Sequence, residues 1–281
     1  MTDPLEGGLA AAAERVLRTS DPWEKTDLSR RTASAWRGLR ADGGLGPVGT
    51  ASPPDFPARP ERPMLKEPRE MPRRRGGSAA GRTAMLHAIA HIELNAVDLH
   101  WDIIARFGHV AMPPGFYDDW VRAADEESKH FGLLSDRLSA LGSGYGEFDA
   151  HAGMWRAAAE TAGDLPGRLA VVPMVLEARG LDVTPGMIAL FEKADDLDSV
   201  AALKTIYAEE VGHVAYGSKW FHFLCGRDNA DPKDRFHAMV RRYFPGSLKP
   251  PFNDEKRAEA GIPLDFYWPL ADEEMVNTKA T

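Results

Sequence analysis

From residue 82 onward, apolar side chains recur at steps of three and four rather than two, the period of an amphipathic helix and not of a strand. Four long segments carry it: 82–107, 115–141, 166–181 and 197–225. The first places Leu86, Ile89, Ala90, Val97, Trp101 and Ile104 on one face, interrupted by Glu93 and His100. The second places Trp120, Ala123, Leu134 and Leu138 on one face, interrupted by Glu127 and His130. The third stripe, Ala170, Val171, Pro173, Met174 and Leu181, is interrupted by Glu177. Shorter helices are predicted at 149–162, 185–195 and 232–244, and Gly142-Ser143-Gly144-Tyr145-Gly146 reads as a flexible connection.

Outside this region the pattern changes twice. Residues 1–41 contain two short helical stretches, 9–18 and 22–39, the second opened by Asp21-Pro22, and are expected to form an N-terminal cap. Residues 42–81 are so rich in proline and glycine that no regular helix or central strand fits. Phe56, Met64, Leu65 and Met71 are spaced along them, so an extended strap packed across the domain by these side chains is predicted; Arg73-Arg74-Arg75 reads as solvated surface. Residues 226–281 are expected to add one helix and an irregular, proline-rich tail whose Phe252, Phe266, Tyr267 and Trp268 dock on the body. The predicted fold class is therefore all-α, with a four-helix core at 82–225.

Composition narrows the function. At 281 residues, 43% hydrophobic and 27% charged, the chain has the material for a sizeable globular core. A formal charge of -8 argues against nucleic acid and anionic membranes as partners. No stretch of 18 apolar residues occurs and Met1–Glu6 lacks the form of a signal peptide, so a cytoplasmic protein is expected. The single cysteine, Cys225, cannot form an internal disulfide or a thiolate-rich metal site. Any metal must be held by carboxylates and imidazoles.

Such residues recur in a definite order. Glu127-Ser128-Lys129-His130 and Glu210-Val211-Gly212-His213 are both Glu-x-x-His, a spacing that puts carboxylate and imidazole on one helix face a turn apart. Each follows a helix bearing a lone glutamate in its apolar stripe, Glu93 and Glu177, at intervals of 34 and 33 positions. Carboxylates buried in such stripes without cations would each cost several kcal/mol. Two divalent ions close together need excess negative charge and bridging oxygens, which carboxylates supply, while one imidazole per ion completes a hard-to-borderline site. Glu126 and Glu209 precede the two motifs and read as solvated or supporting carboxylates. His87, His91 and His100 read as interior histidines able to orient a ligand or shuttle a proton; Tyr207 and Tyr216 read as packing groups beside the second motif. Pro173, four residues before Glu177, predicts a kink or late start in the third helix.

The ordered set, with Ala90-His91-Ile92-Glu93-Leu94 and Tyr207-Ala208-Glu209-Glu210-Val211-Gly212-His213, resembles the ferritin-like superfamily of di-iron carboxylate proteins. Within it the chain is similar to a largely uncharacterised bacterial family, a likeness extended by Arg59-Pro60-Glu61-Arg62-Pro63 and Arg73-Arg74. The resemblance implies a ferritin-like four-helix bundle in which Glu93, Glu127, His130, Glu177, Glu210 and His213 hold two iron ions, manganese being the alternative metal. It further implies an oxygen-activating oxidoreductase of monooxygenase or hydroxylase type, using dioxygen, an electron donor and a small organic substrate. A ferroxidase or other iron-handling protein and a di-manganese peroxide-dismutating enzyme are the competing expectations. The strap and tail favour a homodimer over a storage cage.

Overall fold

A computed structural model of the chain describes residues 3–44, 46–67, 70–71 and 77–271. Arg73-Arg74-Arg75 therefore lies outside the described residues. Among the described residues the fold is all-helical, with no strand and a single isolated bridge between Leu65 and Ala150. The chain divides into two compact units, Met1–Arg156 and Ala157–Thr281.

The first unit is built on α1 (Leu9–Arg18), α2 (Pro22–Ala41), α3 (Ala79–Phe107) and α4 (Pro114–Ala140); α5 (Gly153–Glu160) carries the boundary. The starts follow local chemistry: Asp21 accepts from the amides of Trp23 and Glu24 with Pro22 beside it, and Ser78 accepts from Gly81 N. α3 packs along α4, α1 packs on α3 and α2 on α4, so the N-terminal helices belong to the core of this unit. Ser29 of α2 ties the three together: it accepts from Trp101 Nε1 at 2.8 Å and from Ser128 Oγ at 2.8 Å.

The strap lies on this unit, but not by the side chains expected to anchor it. Phe56, Met64 and Leu65 are 71%, 54% and 42% exposed, and Met71 is half-buried. Main-chain carbonyls, together with the Arg59 side chain, supply anchoring instead. Pro54 O accepts from Arg106 Nη2, Asp55 O from Trp155 Nε1 and Ala58 O from Lys25 Nζ, at 2.9–3.0 Å. A proline-rich segment cannot pair its backbone regularly, so its carbonyls become acceptors for isolated donors of the core. The connection at 142–146 is also pinned rather than loose. Gly146 N donates to His87 Nε2 at 2.8 Å, and the Tyr145 hydroxyl meets His91 Nδ1 at 2.8 Å.

The second unit comprises α6 (Leu165–Val171), a π-helical turn (Val172–Glu177), α7 (Ala178–Lys193), α8 (Leu197–Arg227), α9 (Pro232–Tyr243), α10 (Asp254–Glu259) and α11 (Leu264–Ala271). The helices expected at 166–181 and 185–195 are thus one run from 165 to 193. The irregularity expected at Pro173 takes the form of the π turn, which starts beside the proline that cannot donate. Pro185, where a break was expected, sits inside α7. Its missing amide would have bonded Leu181 O, and that carbonyl accepts from Asn253 Nδ2 at 3.2 Å instead. Nor is the C-terminal tail irregular throughout, since it contains α10 and α11. Tyr267 and Phe266 are buried, Phe266 packing on Phe236 with ring centroids 5.3 Å apart, while Trp268 remains 40% exposed.

Candidate metal centre

In the first unit, α3 and α4 bring three of the predicted ligands together. His130 Nδ1 lies 3.0 Å from Glu93 Oε2 and 3.3 Å from Glu127 Oε2, and all three residues are buried. The i, i+3 spacing supplies the second contact and the α3–α4 pairing the first. His100 joins them, its Nε2 3.6 Å from Glu127 Oε1 and its ring stacked on Trp120 at 5.4 Å. It stands two turns after Glu93 on the same stripe. Donor atoms that share one ion at about 2.1 Å and near right angles stand about 3 Å apart, which is the spacing found here. Two carboxylates and two imidazoles suit iron, manganese or zinc on chemical grounds.

In the second unit, Glu210 and His213 share a face of α8 with Oε1 and Nδ1 3.6 Å apart, and both are buried. Glu177 is buried at the last position of the π turn, which packs on α8. A π turn takes in one extra residue, rotating every later position by about 100° relative to a regular helix. Glu177 is therefore presented out of phase with the stripe read from Ala170 and Met174. Gly217 of α8 lies against Pro173: a β-carbon there would come within 2.4 Å of the proline ring. Tyr216 stands beside His213 with ring centroids 6.4 Å apart, whereas Tyr207 accepts from Asn253 Nδ2 at 2.8 Å. Of the doubled glutamates, Glu126 accepts from Arg122 Nε at 2.9 Å, and Glu209 is half-buried.

A second buried polar line runs along α3, and only its His91 stands out in the sequence as an interior group. His91, Asn95, Asp98 and Asp102 follow one another at steps of four, three and four, and each is at most 4% exposed. Asp98 is ion-paired to Lys25 of α2 at 2.5 Å, Asn95 accepts from Arg59 of the strap at 2.5 Å, and Asp102 pairs with Arg106 at 2.8 Å. Burial raises the Asp98 pKa and lowers that of Lys25, the desolvation cost exceeding the attraction between them. His91, held between the Tyr145 hydroxyl and His151 O, is pushed down to about 3, by burial first and then by the Arg59 charge. It is neutral at physiological pH. The signal was present in the sequence as a helix polar on two stripes, which only a helix covered on both sides would bury.

Among the described residues no helix is long and apolar enough to cross a membrane. Cys225 is buried, and burial raises its thiol pKa.

Comparison with known proteins gives a family without a reaction. Residues 18–268 match the model of the family described as Protein of unknown function (DUF455). An uncharacterized protein of Haemophilus influenzae (strain ATCC 51907 / DSM 11121 / KW20 / Rd) is 37% identical over 263 residues, covering 89% of this chain and 88% of the relative. No solved structure matches. The match through nearly the whole of both units means that the chain belongs to the DUF455 family.

Proposed function

We propose that this protein is a dinuclear metal protein with a ferritin-like four-helix bundle, in which Glu93, Glu127, His130, Glu177, Glu210 and His213 together hold two iron ions. The observation that carries the reading is the convergence of Glu93 and Glu127, from two helices, on one nitrogen of His130 at 3.0 and 3.3 Å. The order of the ligands along the chain, repeated once, supports the same reading.

We further propose an oxygen-activating oxidoreductase of the monooxygenase or hydroxylase type with a small organic substrate. Bound iron would supply the activation of dioxygen. The chain's own contribution is to keep solvent from the buried ligands and to support them from outside the set, as His100, stacked on the Trp120 ring, stands 3.6 Å from Glu127. The π turn that ends on Glu177 leaves that carboxylate on irregular backbone, able to change its reach at lower cost than one within a regular helix.

The test is metal analysis of untagged protein, followed by anaerobic Fe(II) loading and measurement of oxygen uptake. About two iron per chain with oxygen consumed is the result expected from a dinuclear site. Two manganese with peroxide disproportionation would move the assignment to a catalase-like enzyme. Absence of bound metal after loading would overturn it.

A further inference from the structure

The second unit contains a cleft of about 350 Å³, within the size range of small-molecule pockets. Val175 and Leu176 of the π turn, Leu248 and Phe252 supply apolar wall. Its charged lining residues are Arg179, Lys249 and Arg257, and no carboxylate is among them, in a chain whose formal charge is -8.

These cations are built into the fold. Arg257 is 2% exposed, and its Nε and Nη2 donate to the two oxygens of Asp182 at 2.9 and 2.7 Å. Its guanidinium carbon lies 5.0 Å from the Phe252 ring centroid and 4.6 Å from that of Tyr267. Its third nitrogen, Nη1, is buried with no hydrogen-bond acceptor among the described residues, an expensive state for a charged donor. Among the described residues Arg179 is anchored through Nη1, which donates to Lys249 O at 2.7 Å and Pro251 O at 2.9 Å and lies 3.5 Å from Asp182 Oδ2. Among the described residues both guanidiniums thus meet a single carboxylate, an excess of positive charge there even before Lys249 is counted.

We propose that this cleft binds a small amphipathic organic anion, its carboxylate or phosphate-monoester head held by Arg179, Lys249 and Arg257 and its apolar body lying on Val175, Leu176, Leu248 and Phe252. A planar guanidinium fork matches either head group, and the anion gives Arg257 Nη1 an acceptor. The aromatic cage fixes the guanidinium plane, so little order is lost on binding. The site stands independently of the metal assignment, since none of its residues is a candidate metal ligand.

The test is calorimetric titration of the full chain with octanoate, octyl phosphate and octan-1-ol, metal content being measured on the same samples. Expected are one anion per chain, at least about tenfold tighter than octan-1-ol, and an affinity that falls with added salt. Octanoate or octyl phosphate as the better ligand distinguishes the two head groups, and both support the site. Lys249→Glu, at an exposed position, should weaken the anions at least about fivefold, and Ser247→Trp should fill the cleft and abolish binding. Circular dichroism verifies that both variants fold. No binding of either anion, equal binding of octan-1-ol, or unchanged affinity in both folded variants would overturn the proposal. Anion binding by protein that takes up no metal would leave the cleft standing and count against the metal centre alone. Loss of anion binding with metal retained would do the reverse.

Discussion

Replacing Lys25 by methionine removes the partner of Asp98 while nearly preserving side-chain length, in a place where both groups are at most 2% exposed. The ammonium meets Asp98 at 2.5 Å and Ala58 O at 3.0 Å, so the variant loses an ion pair and an anchor of the strap together. A carboxylate left alone there will take up a proton rather than stay charged. Holding it protonated at pH 7 against its ordinary value of 3.8 costs about 4.4 kcal/mol at 1.36 kcal/mol per pH unit. The Arg59 charge, which also favours the ionised form of Asp98, brings the expected loss to about 3–4 kcal/mol. Because the variant's Asp98 is then protonated when folded and ionised when unfolded, its penalty grows with pH above the unfolded value. It should shrink by about 1.5–2.5 kcal/mol between pH 7 and pH 5. Five of the seven tryptophans lie in the first unit, so urea unfolding followed by tryptophan fluorescence reports mainly on the right region. The double variant Lys25→Met/Asp98→Leu should recover most of the loss, since a buried pair replaced by apolar groups is often neutral. A loss below about 1 kcal/mol in the single variant, or one that does not change with pH, would refute the reasoning.

Glu127→Ala and His213→Ala should each release at least one metal ion, read by elemental analysis, with helix content by circular dichroism unchanged; retention of both ions at full occupancy would remove the ligand assignment. Glu126→Gln and Glu209→Gln should keep both ions, because these carboxylates are read as supporting groups, and metal loss from either would exchange the roles within that doublet. Gly217→Ala pushes a β-carbon to 2.4 Å from Pro173 and should cost about 1–3 kcal/mol in thermal or urea unfolding. Its metal occupancy should fall too, since Pro173 lies in the first positions of the turn that ends at Glu177; an unchanged melting curve would show that α8 can retreat freely.

Much of the helical framework was readable because its causes are local. α1 begins and ends where its alanine-rich stretch does, and α2 starts at the Asp21-Pro22 cap. The Glu-x-x-His faces on α4 and α8 were likewise readable, because a spacing of three fixes its own geometry. What failed did so for identifiable reasons. Pro185 reads as a boundary in the sequence because the donor that satisfies the carbonyl it leaves open, Asn253 Nδ2 bonding Leu181 O, comes from 72 positions away. The tail was read as irregular because α10 and α11 are short and two prolines flank or enter the second. Phe56 and Met64 were read as anchors because apolarity is visible in a sequence, whereas the carbonyls that hold the strap are present in every residue.

By itself, then, the amino-acid order determined where helices form, which faces they bury and which carboxylates and imidazoles share a helix turn, since each of these depends on neighbours within about four positions. Tertiary structure alone decided which distant groups meet. Glu93 reaches His130 across 37 positions, Lys25 reaches Asp98 across 73 and Arg257 reaches Asp182 across 75. It also decided the phase at which Glu177 leaves the π turn and the cleft that gathers three cations. Periodicity records that a side chain is to be buried, but the low dielectric of the interior makes the outcome depend on which partner is buried with it, and that pairing is a property of the folded chain.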